Sequence, residues 1–484
     1  MNGRRPPSQP VDLHLTLDEG TGLTQQIYDQ ISRAILSGRL PDEARLPSSR
    51  ELAESLGVAR NTVAAAFDHL LAEGYLHART GVGTFVSADA DRAALAPERT
   101  PSPLKPVPLW RGGSPEVPLL DGDPPAYDFR TGVPDDSLFP YPAWRRHLDA
   151  VVRRTAPAAV YADPAGPAVL RAAIARYLGV SRGLTVGPDD LIVTSGVQQA
   201  VSLLGQVLVE PGDVVAIEDP GYSPARRAFE AARATVVPVP VDEQGIVVDR
   251  LPARATAVYV TPAHQFPLGV RMSLARRTAL LEWARAADAA VIEDDYDTDF
   301  RYGARPIDPL HALDRAGRVV YVGSFSKSMQ PTLRVGYCVA PPALLEALRR
   351  ARFVADWHGP TIVQLALAGF IDEGRLAAHV RRMRREYERR RDRIAMVLDR
   401  VFRPHLRPIP TAAGLHLAAR CESATHDTVA EWLVACEKDG VALQSIGAFA
   451  LGDVEPGLMF GFGAIPLDRI DEGLRRLRMV IGSS

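Results

Sequence analysis

Three short apolar runs, each followed by polar residues, strongly constrain how this chain can fold. The runs cover residues 191–194, 290–292 and 319–323. Continuous apolar runs of this length are typical of strands that are buried on both faces of a parallel sheet. In open α/β sheets, ligands bind where the carboxyl ends of such strands meet. The pattern therefore predicts an α/β fold with a ligand site built from the residues that follow these runs.

Lys327 is the predicted chemical centre of that site. The chain contains only three lysines, Lys105, Lys327 and Lys438, and Lys327 follows the third apolar run in a Ser-x-x-Lys sequence. Burying an ammonium group is costly, so the pKa of such a lysine falls and part of it becomes the neutral amine that attacks an aldehyde. Two other interpretations remain open: a lysine in a surface turn, or the Ser-x-x-Lys of unrelated acyl-transfer enzymes.

The first apolar run predicts a phosphate site. It leads through Ser195 and Gly196 into Val197, Gln198 and an amphipathic stretch, which is the order strand, tight turn and helix N-terminus. Free backbone N–H groups and the helix dipole bind anions at such a turn. Arg334 could add a bidentate contact to the same phosphate.

From residue 127 to the C-terminus, these motifs resemble the fold-type I pyridoxal phosphate (PLP) proteins of the aspartate aminotransferase superfamily. The resemblance implies that Lys327 forms the internal aldimine and that Asp294 pairs with the protonated pyridine nitrogen, which keeps the ring an electron sink. It also implies that Tyr296 binds the ring hydroxyl and that Tyr222 stacks on the ring. Tyr161 would reach the phosphate of a neighbouring subunit, which implies a homodimer. The implied phosphate ligands are Ser195, Gly196, Val197, Gln198, Ser324 and Arg334.

Residues 23–71 have the pattern of a helix-turn-helix. Apolar residues at helical spacing between residues 23 and 35 predict a first helix. A capping box from Ser48 to Glu51 opens a second helix, which ends at Gly57. A third helix should run from about residue 60 to residue 71, and polar residues at the start of such a helix contact base edges. The predicted DNA contacts in these helices are Ser49, Arg50, Arg60, Asn61 and Thr62.

Two short strand patterns around residues 80–83 predict a β-hairpin, or wing, after the third helix. Small residues at its tip let the backbone approach phosphates, so Arg79, Gly81 and Gly83 are further predicted DNA contacts. From Leu46 to Val86, the chain is similar to the GntR-type winged helix-turn-helix proteins.

The charge of this segment differs from that of a typical DNA-binding domain, which is basic. Residues 1–86 contain eight arginines and no lysine against ten Asp and Glu residues. We therefore expect the arginines to act by placement, since acids such as Glu43 lie outside the motif that contains the predicted contacts, and we expect DNA affinity to depend weakly on salt. Ala59 stands where the family pattern has a capping serine, which leaves the third helix less well capped at a cost of about 1 kcal/mol.

A winged helix-turn-helix followed by an aminotransferase-like domain resembles the MocR subfamily of GntR-type bacterial transcriptional regulators, over nearly the whole chain. The resemblance implies a dimer that binds double-stranded promoter DNA. Cysteines are too few and too irregularly spaced for disulfides or a metal site, which fits a cytoplasmic protein, and we predict no membrane segment. The predicted domains are the DNA-binding domain at 11–86, a Pro- and Ala-rich linker at 87–126, and the PLP-binding domain at 127–484, with a large part at about 155–340 and a small part at about 341–484.

Two departures from working aminotransferases argue against an enzyme. Phe266 stands where those enzymes have an asparagine near the ring hydroxyl. Met459 stands where they have the arginine that binds the α-carboxylate of the substrate, and loss of that bidentate contact should weaken both binding and turnover. The residues that could substitute for it are Arg226, Arg227 and Arg420.

We therefore expect a transcriptional regulator that responds to PLP through Lys327, as a PdxR-like regulator of vitamin B6 genes would. A second hypothesis is a regulator with permanent PLP that senses an amino compound as an external aldimine. A third is a working aminotransferase with an accessory N-terminal domain, and a fourth is a DNA-binding dimer whose PLP site has no role.

Overall fold

The computed structural model describes residues 11, 13–18, 22–87, 105–111, 124–154, 160–303, 308–403 and 405–482. The chain divides into two compact units, Met1–Arg111 and Gly112–Ser484. Most of the predicted linker, at residues 88–104 and 112–123, lies outside the described residues. Among the helices that the structure describes, none has the length and apolar character needed to span a bilayer.

The N-terminal unit contains three helices and a hairpin. The helices are Leu23–Leu36, Ser49–Leu56 and Arg60–Ala72, and the hairpin pairs strand β1 (Leu76–Arg79) with strand β2 (Gly83–Val86). Their apolar residues form one buried core. All three predicted helices and the predicted hairpin are confirmed.

Local signals explain where these helices begin and end. The Ser48 side chain accepts a hydrogen bond from the Glu51 N–H, and the Glu51 carboxylate accepts one from the Ser48 N–H, so the predicted capping box is present. Gly57 ends that helix in the left-handed conformation, with φ 66°. At the next helix, Ala59 provides no side-chain cap among the described residues, as its sequence predicts.

The C-terminal unit contains two larger sheets and a short strand pair. Its strands are β3 (Tyr127–Asp128), β4 (Leu191–Thr194), β5 (Val214–Asp219), β6 (Thr235–Asp242), β7 (Gly245–Ile246), β8 (Ala255–Val260), β9 (Ala290–Asp295), β10 (Val319–Ser324), β11 (Gly336–Val339), β12 (Leu406–Pro408), β13 (His416–Cys421), β14 (Val441–Ala442), β15 (Gln444–Ser445) and β16 (Gly457–Gly461). Its helices are Tyr141–Arg154, Ala168–Arg182, Val197–Leu208, Ser223–Ala231, Leu274–Ala286, Leu310–Leu313, Pro342–Asp356, Thr361–Asp372, Arg375–Val401, His426–Lys438 and Ile470–Gly482.

The eight-stranded sheet has the order β4-β11-β10-β9-β8-β5-β6-β7. Strands β10, β9, β8, β5 and β6 are mutually parallel, and β11 runs antiparallel to both β10 and β4. Strand β4 therefore has the same direction as β10. The carboxyl ends of β4, β5, β8, β9 and β10 thus lie at one edge of the sheet, as the three apolar runs predict.

Both faces of this sheet are covered, which explains why its strands are continuously apolar. Along β10, Val320 and Val322 enter the core that contains the helix Val197–Leu208. Val319 and Tyr321 point to the opposite face and enter two further cores. One of these cores also contains residues of the helix Thr361–Asp372, so it combines residues from both sides of position 341.

The smaller sheet is antiparallel, with the order β12-β13-β16-β15. Its core includes Phe129, which precedes the large sheet in the chain, together with residues of the helices Arg375–Val401 and Ile470–Gly482. Strand β3 pairs in parallel with β14. The segment at residues 127–129 is therefore packed with the C-terminal part of the chain.

Candidate cofactor site and DNA-binding surface

A cavity of about 240 Å³ lies where the strand ends of the large sheet meet. Most of the predicted cofactor residues line it, although they are separated by up to 137 positions in the chain (Val197 to Arg334). The strand-end pattern therefore predicts the location of the cavity correctly. The predicted residues that line the cavity are Val197, Gln198, Tyr222, Asp294, Tyr296, Ser324, Lys327 and Arg334.

Three predicted residues lie outside the cavity lining. Ser195 and Gly196 adjoin it, since the Arg334 guanidinium donates a hydrogen bond to the Ser195 carbonyl. A Cβ at Gly196 would lie 3.2 Å from the same guanidinium, so a larger residue would crowd it. Tyr161 is 74% exposed, and its ring lies 3.8 Å from that of Trp357.

The Lys327 amine is held inside the cavity by backbone. Its Nζ donates a hydrogen bond of 2.6 Å to the carbonyl of Gly132. Gly132 has φ 75°, and a Cβ there would lie 2.9 Å from Nζ, so both the conformation and the close approach favour glycine. Burial lowers the pKa of Lys327, and the carboxylates of Asp297 and Asp294 oppose that fall. The predicted direction of the pKa shift is confirmed.

Asp294 presents an unpartnered oxygen. The Tyr259 hydroxyl donates to Oδ2, whereas Oδ1 is buried and has no hydrogen-bond partner among the described residues. Burial raises the pKa of Asp294 to about 7, because a carboxylate without water is costly to ionise. A protonated ring nitrogen would satisfy the free oxygen and favour the ionised form. Asp294 therefore fits the PLP ring.

The other end of the cavity fits a phosphate. The helix Val197–Leu208 starts here after Gly196, which has φ 95° and provides no side-chain cap among the described residues. Its first N–H groups are therefore available to an anion. The Arg334 guanidinium and Ser324 line the same end, and the Ser324 hydroxyl is 2.9 Å from that of Ser326. The Gln198 side chain already donates to the Pro224 carbonyl at 2.9 Å, which leaves it one N–H for a ligand.

Aromatic side chains form the walls between these two ends. The Phe266 ring packs edge-on against Tyr222 and Tyr296, with ring centroids 5.8 and 6.2 Å apart. Burial raises the pKa of Tyr222 to about 12, so its hydroxyl stays protonated. Phe266 lines the cavity, as its position in the sequence predicts, and it offers the cofactor no polar group.

Within the part of the chain that the structure describes, the cavity has no arginine for a substrate carboxylate besides the one at its phosphate end. Met459 is fully buried on β16 in an apolar core, and it does not line the cavity. Arg420 pairs with Glu455 at 2.8 Å. Arg226 and Arg227 both pair with Glu230. Among the described lining residues, Arg334 supplies the one guanidinium.

Several lining residues could not be found from the sequence. Thr131 and Gln444 are 313 positions apart, yet the Thr131 N–H and hydroxyl both donate to the Gln444 side-chain oxygen, at 2.9 and 2.7 Å. Single polar residues on loops or short strands carry no periodic signal. The other lining residues that the sequence did not single out are Gly132, Pro331, Leu415, His416 and Phe449.

The N-terminal unit exposes most of its predicted DNA contacts. Arg50, Arg60 and Asn61 are exposed, and Ser49 and Thr62 are half-buried. In the wing, Gly81 is exposed at the tip between β1 and β2, and Gly83 is half-buried. A Cβ at Gly83 would lie 3.0 Å from the Arg45 guanidinium, which brings to the wing an arginine that the sequence did not single out.

One acid lies beside a predicted DNA contact. Arg79 donates a hydrogen bond of 2.5 Å to the Glu43 carboxylate, and its guanidinium lies 4.8 Å from the centroid of the Phe85 ring. Glu43 lies outside the motif in the sequence, yet in the structure it is next to a predicted DNA contact. The chain before the second helix forms a bridge to the hairpin at Arg45 and Phe85, a tertiary contact that local patterns do not encode.

Replacing Glu43 by glutamine should strengthen DNA binding. The substitution removes a carboxylate that would repel phosphates and releases Arg79 from an exposed ion pair worth less than about 1 kcal/mol. We expect about two- to fivefold tighter binding, measured by fluorescence anisotropy at fixed salt. Glu54→Gln makes the same charge change on the second helix and serves as a control. An equal gain in both variants would assign the effect to net charge alone and contradict the role of Arg79.

Comparison with known proteins identifies both units. Residues 127–476 match the family of class I and II aminotransferases, and residues 23–86 match the gntR family of bacterial regulatory proteins. The fold and the site thus define a PLP-binding, aminotransferase-like protein joined to a GntR-type helix-turn-helix domain.

The relatives specify the family. The chain is 35% identical to the probable rhizopine catabolism regulatory protein MocR of Rhizobium meliloti, over 96% of this chain and 95% of that one. It is also 35% identical to the HTH-type pyridoxine biosynthesis transcriptional regulator PdxR of Corynebacterium glutamicum, over 94% and 95% of the two chains. The solved kynurenine aminotransferase of Pyrococcus horikoshii is 30% identical with a TM-score of 0.68, over 73% of this chain and 90% of that one. The chain belongs to the MocR subfamily of GntR-type transcriptional regulators.

Proposed function

We propose that this protein is a cytoplasmic, dimeric regulator whose binding to promoter DNA changes when Lys327 captures PLP. One observation supports the proposal: the cavity brings together Lys327, Asp294 and Arg334, and its described lining residues include no second arginine to bind a substrate carboxylate. The relative that regulates pyridoxine biosynthesis supports PLP as the signal. The genes under control would then serve vitamin B6 metabolism.

The described residues suit capture of PLP. When bound, PLP supplies an aldehyde that condenses with a primary amine and a ring that withdraws electrons. Lys327 contributes that amine, and the Gly132 carbonyl orients it. Asp294 would offer its free oxygen to the ring nitrogen. Arg334 and the first N–H groups of the helix Val197–Leu208 would hold the phosphate.

The residues around the cavity argue against efficient transamination. A bidentate arginine both binds and orients an amino-acid carboxylate, and that orientation contributes strongly to rate. Met459 is packed in a core, and the arginines that could substitute for the missing one pair with glutamates. We therefore infer at most weak transaminase activity, although the fold is that of an aminotransferase.

A second candidate effector is an amino compound without a carboxylate. The hydrogen-bonded pair of Thr131 and Gln444 and the side chain of His416 line the cavity, and these are neutral groups that suit hydroxyl or amine ligands. The relative named for rhizopine catabolism is as similar to this chain as the pyridoxine regulator is. In this case PLP would stay bound and the amine would be the signal.

The dimer and the domain limits form part of the proposal. Tyr161, Trp357 and Phe353 are exposed, and the Trp357 ring contacts the other two rings. A second subunit could therefore cover them and receive Tyr161 at its phosphate site.

We place the DNA-binding domain at residues 11–86, the linker at 87–126 and the PLP-binding domain at 127–484. Two DNA-binding domains in one dimer would compensate for the low positive charge of each.

The test is the binding of cofactor-free protein to the DNA upstream of its own gene, with and without PLP. Pyridoxine 5′-phosphate, which has an alcohol in place of the aldehyde, is the matched ligand control. We expect PLP, and not the control, to change DNA affinity. A change that also requires an added amine would favour the second candidate. Tight binding that neither ligand alters, or no binding together with multiple-turnover transamination, would overturn the proposal.

A further inference from the structure

A buried histidine and aspartate lie directly behind the cofactor site. His264 and Asp297 are 2% and 3% exposed, and His264 Nδ1 lies 3.0–3.1 Å from both oxygens of Asp297. Asp297 also accepts a hydrogen bond of 3.2 Å from the Leu415 N–H. These contacts join the loop after β8, the loop after β9 and the start of β13.

The proton positions in this group follow from hydrogen-bond chemistry. An ionised carboxylate only accepts, so the short contact with Asp297 places a proton on His264 Nδ1. The Tyr296 hydroxyl lies 3.1 Å from the same nitrogen and 2.9 Å from the His264 carbonyl. Because Nδ1 already carries its proton, the Tyr296 hydroxyl donates to the carbonyl. Its oxygen then remains an acceptor, and its orientation is fixed by His264.

Asp297 also faces the reactive amine. It lines the same cavity as Lys327, and its carboxylate opposes the fall in the pKa of Lys327 that burial causes. His416 adjoins the group, with its ring centroid 4.6 Å from that of His264, and its Nε2–H donates a hydrogen bond of 3.0 Å to the Pro267 carbonyl. Among the described residues, the charged and titratable groups that line the cavity with Lys327 are Asp294, Asp297, Arg334, His416, Tyr222 and Tyr296.

We propose that His264 and Asp297 form a positioning pair, in which Asp297 retains the ammonium form of Lys327 and His264 fixes both that carboxylate and Tyr296. This inference rests on the proposed function for its purpose, because it explains how the site sets the readiness of Lys327 to capture an aldehyde. The effect of the pair on Lys327 exists in the protein without cofactor, so its test does not need PLP.

The test is the pH dependence of Lys327 acetylation by acetic anhydride in cofactor-free protein, measured by mass spectrometry of peptides. The neutral amine attacks the anhydride, forms an amide and releases acetate and a proton, so the rate reports the neutral fraction. The midpoint is the pH at which the acetylation rate of Lys327 reaches half of its maximum. Asp297→Asn should lower this midpoint by about 1–3 pH units, because the substitution removes a nearby opposite charge. Lys105 and Lys438 report in the same samples and should not change.

Glu218→Gln is the matched control. Glu218 is a buried carboxylate near the same loop, since it accepts hydrogen bonds from Thr261, but it is not among the groups that face Lys327. Its amide variant should leave the Lys327 midpoint in place. An unchanged midpoint in Asp297→Asn, or an equal shift in Glu218→Gln, would overturn the proposal.

Variants of His264 keep the proposal testable if Asp297→Asn does not fold. His264→Gln retains a donor for the carboxylate, so the Lys327 midpoint should stay close to that of the unaltered protein. His264→Leu removes the donor that holds the Asp297 carboxylate in place, so the carboxylate loses its fixed position near Lys327 and the midpoint should fall in the same direction as in Asp297→Asn. If His264→Leu leaves the midpoint unchanged, the pair does not act on Lys327. Failure of the protein to bind PLP would refute the proposed function without affecting these results.

Discussion

Replacing Lys327 by alanine should abolish the effect of PLP on DNA binding while leaving the DNA affinity of cofactor-free protein intact. The substitution removes the amine that can bond covalently to the aldehyde, and the three helices and hairpin of the N-terminal unit are unaffected because they form a separate unit. We expect the ratio of DNA affinities with and without PLP to fall to one. Fluorescence anisotropy of the same DNA fragment measures it.

Lys438→Ala is the control for Lys327→Ala, because Lys438 is an exposed lysine at the end of a helix. It should retain the full response. Reduction of the PLP-loaded protein with borohydride should add the cofactor to the peptide that contains Lys327 and to neither of the other two lysine peptides. A PLP response that survives in Lys327→Ala would mean that binding without covalent capture is the signal.

Replacing Asp294 by asparagine should weaken PLP binding by about 10- to 100-fold, because a buried hydrogen bond between charged groups is lost. The amide keeps the shape of the side chain and can still accept from the Tyr259 hydroxyl, so the fold should be retained. Equilibrium titration monitored by cofactor absorption measures the affinity. Unchanged affinity would show that Asp294 does not contact the ring.

The same variant should be more stable than the unaltered protein when both lack cofactor. Burial raises the pKa of Asp294 from its ordinary value to about 7, so the folded protein keeps a proton that the unfolded chain releases. This carboxyl group therefore opposes folding increasingly as the pH rises from the ordinary carboxyl range to about 7, and the effect is constant above it. We expect the free energy of unfolding of Asp294→Asn to exceed that of the unaltered protein by a difference that grows over this pH range to roughly a few kcal/mol. Urea unfolding at several pH values checks this, and an advantage independent of pH would contradict it.

The cofactor site could be predicted from the sequence where one physical rule applied. Residues that follow parallel strands meet at one edge of a sheet, so Asp294, Ser324 and Lys327 could be grouped without knowing any tertiary contact. The capping box at Ser48 and the glycine at the end of the same helix are likewise local, since both partners lie within a few residues. Such signals can be recognised in a short stretch of sequence because the interacting groups lie within it.

The remaining features depend on how distant segments pack. Thr131 enters the site because β3 pairs with β14 and brings its segment to Gln444. His264 bonds to Asp297 because β8 and β9 are neighbours in the sheet. Glu43 reaches Arg79 through the bridge between Arg45 and the hairpin. None of these contacts has a local pattern, and all of them change the charge or the polarity of a predicted site.

The most direct test of PLP sensing is the reciprocal coupling between PLP and DNA. If PLP changes DNA affinity by some factor, thermodynamic linkage requires DNA to change PLP affinity by the same factor. The measurement is a pair of titrations on one preparation: DNA into protein with and without PLP, and PLP into protein with and without DNA. Our account predicts that PLP changes DNA affinity and that DNA changes PLP affinity by the same factor. This factor should lie in the range of roughly five- to 150-fold that is typical of such coupling. Factors of one in both titrations would contradict it.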